Sequence, residues 1–150
     1  MARLRTLTIA GLIILTAATA GCKRTATEGF SPLGPSTFVL TFALNASPNV
    51  LMATGQRPTS TLTAAVTENN QPAAGRTVIF TIITGPGEFQ NYLRRVAVTT
   101  DFNGIASVTY IGPTKFEIND DTTATIMGQL QTSTPQVIAK LVELTILFNW

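Results

Sequence analysis

Histidine is absent from this chain, and cysteine occurs once. Without an imidazole there is no general base for Ser/His/Asp or Cys/His catalysis, and the usual zinc ligand sets cannot be assembled. A single thiol rules out an internal disulfide and a cysteine-rich metal cluster. Charge is scarce as well, at 12% of residues, and aromatic residues make up only 7%. These absences close most routes to enzyme chemistry, so neither a catalyst nor a cofactor is expected. Apolar residues are plentiful at 45% of 150 positions, enough for the core of one domain.

The N-terminus is set apart from the rest. Met1 to Arg5 carries Arg3 and Arg5, and the sixteen residues from Thr6 to Gly21 have no charge and are mostly Leu, Ile, Ala and Thr. The stretch ends Thr19-Ala20-Gly21-Cys22. A basic start, a short apolar run and small residues before a cysteine resemble a bacterial lipoprotein signal peptide over 1–21, with Cys22 as the lipidated residue. Thr19 stands where such signals commonly carry an aliphatic residue. An uncleaved spanning helix would need about 20 apolar residues. An ordinary secretory signal would leave Cys22 as an unpaired exported thiol. The resemblance implies a mature chain held in the cell envelope by lipid. Lys23, where many lipoproteins retained at the inner membrane have Asp, implies the outer membrane if the cell has two.

Removing residues 1–21 leaves eight basic residues against eight acidic ones, so the formal net charge of +2 belongs to the signal. Arg94-Arg95 is too small a cluster to form a nucleic-acid-binding face, and no such partner is expected. Residues 22–36, running from Cys22 through KRTATEGFSPLGPS, have linker composition with little to bury. The predicted domain is 37–150.

Within it the texture is all-β. Phe38, Leu40, Phe42 and Leu44 alternate, and Val50 to Thr54 forms a short strand after the Asn45-Ala46-Ser47-Pro48 break. Leu62, Ala64 and Val66 share one face. Val78, Phe80 and Ile82 oppose Thr77, Ile79 and Thr81 until Gly85-Pro86-Gly87 closes the strand. Val96 and Val98 lead into Asp101-Phe102-Asn103-Gly104, which predicts a tight hairpin with positive φ at Asn-Gly, returning through Ala106, Val108 and Tyr110. Ala124 and Ile126, then Val142, Leu144, Ile146 and Phe148, complete seven to nine antiparallel strands, the count of an immunoglobulin-like sandwich.

Three segments carry a family resemblance. The runs Ala-Ser-Pro-Asn-Val-Leu-Met-Ala-Thr-Gly (46–55), Pro72-Ala73-Ala74-Gly75-x-x-Val78-x-Phe80 and Thr100-Asp101-x-Asn103-Gly104-x-Ala106 are similar to the group 1 bacterial immunoglobulin-like domain of intimins and invasins. Thr54, Thr67 and Asn70 depart from the residues common there, although Asn tolerates the left-handed conformation that Gly would supply. The resemblance spans nearly all of 37–148. It implies a rod, spacer or adhesion-associated envelope module. Such modules come in tandem, and this chain has one copy, so presenting a surface to a protein partner is the expected role.

Residues with chemical potential are few. Asp120-Asp121 with Glu117 or Asp101 lacks the spacing of a calcium loop, and solvated turns are expected there. Glu68, Glu88 and Asp101 show no sign of convergence as a glycosidase pair. Asn45-Ala46-Ser47 matches a glycosylation acceptor, incidental in a bacterial lipoprotein and followed by Pro48. Tyr92 with Arg94 and Arg95 is the candidate contact patch. The alternative function is binding of envelope polysaccharide along a strip of exposed rings, for which Phe30, Tyr92, Phe102 and Phe116 are candidates.

Overall fold

Alternation of apolar with Thr, Ser and Ala residues builds ten strands and, among the described residues, no helix. The computed structural model describes residues 39–133 and 137–149, all within one compact unit, Thr37–Trp150. The signal 1–21, Cys22, the linker 22–36, Phe30 and Phe38 lie outside the described residues. The strands are β1 (Leu40–Ser47), β2 (Val50–Ala53), β3 (Thr59–Glu68), β4 (Gln71–Pro72), β5 (Thr77–Thr84), β6 (Glu88–Phe89), β7 (Arg95–Thr99), β8 (Ile105–Ile111), β9 (Thr122–Leu130) and β10 (Ile138–Phe148).

Two sheets pack face to face. One has the order β1-β3-β8-β6 with β4 beside β3, and the other the order β2-β10-β9-β5-β7. The period of two decides which side chains meet between them. Phe42, Leu62, Val66 and Tyr110 from the first sheet pack with Phe80, Ile126, Leu144 and Ile146 from the second in one core. Gly128 on β9 lets the sheets approach closely, because Phe42 Cζ and Leu44 Cδ2 each lie 3.1 Å from where its Cβ would stand.

The strand count exceeds the expected seven to nine because β4 and β6 are two-residue pairings without a period to read. One pair is also not antiparallel. The chain changes sheet at Pro48, so β1 pairs with β3 while β2 runs parallel to the last strand, with Leu51 opposite Ile146. The change is secured by Ser60, whose buried hydroxyl donates to the Pro48 carbonyl at 2.7 Å.

The predicted Asn103-Gly104 hairpin is corrected. β7 pairs with β5 in one sheet, whereas β8 pairs with β3 in the other, so the turn is a corner between sheets. A two-residue I′ hairpin needs positive φ at both central residues, and here only Gly104 has it, at +74°. The Gly104 N–H donates to Asp101 O at 3.0 Å, and Asp101 Oδ1 accepts from the N–H groups of Asn103 and Ile105. Thr100 holds the incoming strand to the second sheet. Its buried hydroxyl donates to Ala73 O at 2.6 Å and accepts the Arg76 N–H. The paired left-handed residues occur instead at Asn69 (φ 52°) and Asn70 (φ 64°), between β3 and β4.

Candidate functional site

The strand directions bring three loops, 54–58, 85–94 and 112–121, to the end of the fold where β1 finishes and β5 turns back. Arg57 binds them together. Its Nη1 donates to Glu88 Oε1 and its Nη2 to Glu117 Oε1, each at 2.6 Å. The three residues come from separate segments, loop 54–58, strand β6 and loop 112–121, and each terminal nitrogen of the planar guanidinium takes one carboxylate. The Lys115 N–H donates to Thr54 O and the Gly112 N–H to Pro58 O, both at 2.8 Å. Glu117 also organises its own loop, since Oε2 accepts the Thr114 N–H at 2.7 Å. That backbone bond, with the Thr114 hydroxyl and Arg57 adding to it, holds the Glu117 carboxyl below its ordinary range.

Loop 85–94 is fixed from within. Phe89 is fully buried and its N–H donates to Leu93 O, while Tyr92, at φ 60°, donates its N–H back to Phe89 O. Arg94 folds over the Gly85-Pro86-Gly87 turn, donating from Nη1 and Nη2 to Gly85 O, each at 3.0 Å. Beneath the turn, the buried Tyr110 hydroxyl donates to Pro86 O at 2.7 Å. Gly87 is required here, because at φ +97° a Cβ would run into the Tyr110 ring.

Burial pushes the Tyr110 phenol up to about 12, against a smaller opposite pull from Arg94. The neutral phenol is therefore favoured by folding, and its contribution is complete below the ordinary value of 10.0 and lost as pH rises through about 12. Tyr110→Phe is expected to flatten the loss of stability between these values, measured by denaturant titration at stepped alkaline pH. An unchanged profile would show that Tyr110 does not titrate in this window.

The candidate patch divides. Tyr92 projects into solvent at 78% exposure, Arg94 is committed to backbone carbonyls, and Arg95 stands on β7 opposite Thr81. The loop end adds exposed Leu93 and Phe116, the latter 80% exposed with Lys115 Nζ 5.8 Å from its ring centre. Sequence reasoning missed Arg57, for which there was no signal: its partners lie 31 and 60 residues away.

The other candidates are dispersed. Glu68 pairs with Arg76 at 2.7 Å, and Asp101 holds its own turn, both at the end opposite Glu88. Asp121 accepts the Phe148 N–H at 2.7 Å, far from Asp101. Among the described residues no group of three or more His, Cys, Asp or Glu side chains is placed to hold a metal ion.

No protein-family model and no curated protein matches this sequence, so the likeness to the group 1 immunoglobulin-like domain has no family match behind it. Among solved structures, the chain is similar to a conjugative transposon lipoprotein from Bacteroides eggerthii DSM 20697. That similarity has a TM-score of 0.43 and 10% identity, over 68% of this chain and 94% of the other.

Proposed function

We propose that this is a non-catalytic, lipid-anchored envelope protein whose immunoglobulin-like domain presents its clamped loop end to another envelope or surface protein. The observation that carries this reading is the combination of exposure with fixation at that end. Tyr92 and Phe116 stand in solvent, yet their loops are held by Arg57, Arg94 and buried Phe89. A contact surface already ordered in the free protein loses less conformational entropy on binding. Large rings are also the side chains that contribute most at protein interfaces.

The immunoglobulin-like reading is supported by the division of the first strand between sheets and the parallel pairing of β2 with β10. The anchor is supported by the apolar run ending in the single cysteine, Cys22. The arrangement favours a protein partner over a polysaccharide, because Phe102 stands at the opposite end from Tyr92 and Phe116 and the rings form no strip.

A photo-crosslinking residue placed at Leu93 in the lipidated protein is expected to capture one discrete protein in intact envelopes. The double substitution Tyr92→Ser, Phe116→Ser should lower that capture about tenfold with little change in stability. Cys22→Ser should release the chain from membranes or leave its signal uncleaved. Undiminished capture would overturn the contact site, and a processed Cys22→Ser chain still in the membrane fraction would overturn the lipid anchor.

A further inference from the structure

The two sheets differ in what they turn outward. The outer face of the β1-β3-β8 sheet is Thr, Ser and Ala over most of its area, including Thr41, Ala43, Thr61, Thr63 and Ser107. The outer face of the five-stranded β2-β10-β9-β5-β7 sheet instead carries large apolar side chains. Leu141 is 63% exposed, Val50, Met52 and Ile83 are exposed, and Ile79 and Met127 are half-buried beside them. The registers align Arg95, Thr81, Met127 and Leu141 in one row across four strands and Ala97, Ile79, Gln129 and Ala139 in the next, while Val50 and Met52 lie opposite Thr145 and Leu147, on the far side of the Thr125–Glu143 row. An outward face bearing this many large apolar groups is unusual for a surface facing water alone.

We propose that this face docks against a second copy of the same chain. Two observations select that occupant. The first is charge. The face bears two charged residues, Arg95 on the lateral strand β7 and Glu143 on β10 toward the other side. A twofold axis parallel to the strands lays the β7 side of one copy over the β10 side of the other and keeps the rows level, so Arg95 comes over Leu141 and, twice, within about 7 Å along the strand of Glu143, a gap its long side chain can span. A self-complementary pattern of this kind is what an isologous interface requires. The second is area. Strands of 4 to 11 residues set about 4.8 Å apart offer roughly 600 Å² per copy, three-quarters of the roughly 800 Å² per partner of a specific interface. Thr side chains between the apolar groups give a flat surface without a deep pocket, suited to another sheet at the usual spacing of about 10 Å. The face lies along the side of the fold, so the dimer leaves Tyr92 and Phe116 at the loop end available and does not depend on their role.

The test is sedimentation of the full chain, extracted in detergent, across a concentration series, with chemical crosslinking in intact envelopes as the second measurement. Dimer is expected for the wild type. Leu141→Lys, on an exposed outward position, should abolish it while leaving the circular dichroism spectrum and thermal midpoint unchanged. Arg95→Glu and Glu143→Arg should each weaken association about tenfold, and the double reversal should restore it, because the exchange recreates both pairs. Restoration separates an interface contact from a structural effect of either change. A monomer throughout, an association indifferent to Leu141→Lys, or a double reversal no better than the singles would overturn the proposal. A monomer that binds a different protein through Leu141 would replace the second copy with that partner.

Discussion

Phe80→Ala is expected to cost the domain about 3–5 kcal/mol, a large share of the roughly 5–15 kcal/mol that stabilises a domain of this size. Phe80 is fully buried at the centre of β5, facing Val96 on one neighbouring strand and Gly128 on the other. Gly128 has no side chain to move into the space the ring would leave. Phe42 Cζ and Leu44 Cδ2 already lie 3.1 Å from where its Cβ would stand, and both residues belong to β1 in the opposite sheet. The cavity therefore stays largely open, the condition under which a truncation adds a cavity penalty to the lost burial. Equilibrium unfolding in urea, with the denaturant slope unchanged, gives the difference directly. A loss under about 1 kcal/mol would mean that the sheets close around the gap.

Gly104→Val is expected to be comparable, at about 3–5 kcal/mol, because two penalties combine. At φ +74° a β-branched residue is strained in any surroundings, and here its Cβ would also meet the Val66 carbonyl oxygen, with Ala73 N at 2.9 Å. Both obstacles are backbone, and both belong to bonds that hold the corner: the Val66 N–H donates to Gly104 O and the Ala73 N–H to Val66 O. The site cannot relax without breaking the link between β8 and the segment before β5. Phe102→Ser, two residues away, should change stability by less than about 0.5 kcal/mol, since that ring is 82% exposed. Paired melts of the two variants decide the matter, and equal losses would show that Phe102 is part of the core.

Gly104 also shows how far local reading reaches. Its positive φ follows from turn chemistry confined to Asp101 through Ile105, and the sequence carries that in full. The partner of each strand beside the turn is a different question. Thr100 directs β7 away from β8 by bonding Ala73 and Arg76, 27 and 24 residues distant, and nothing within the turn encodes those contacts. The Arg57 clamp is hidden for the same reason: a charged residue in a polar loop reads as solvated until its two partners are folded beside it. Tyr92 could be picked out as an exposed ring between strands, whereas Arg94 beside it could not be separated from a contact residue until the Gly85 carbonyl was in place.

The sequence by itself determined the all-β class, the two alternating sets of side chains along nearly every strand, the loop position of Phe102 and the absence of histidine chemistry. Each of these rests on residue type or on a period of two, which neighbouring residues impose on one another. The tertiary structure decided which strands pair, that β2 runs parallel to β10, which loops Arg57 joins, and that one sheet turns an apolar face outward. Alternation gives every strand two faces. On β5, Val78, Phe80 and Ile82 oppose Thr77, Ile79, Thr81 and Ile83, both sets partly apolar, and only the sheet packed across from it shows which set is covered. Pairing and coverage depend on contacts between residues far apart in sequence, where the energy of the whole core selects among registers that are locally equivalent.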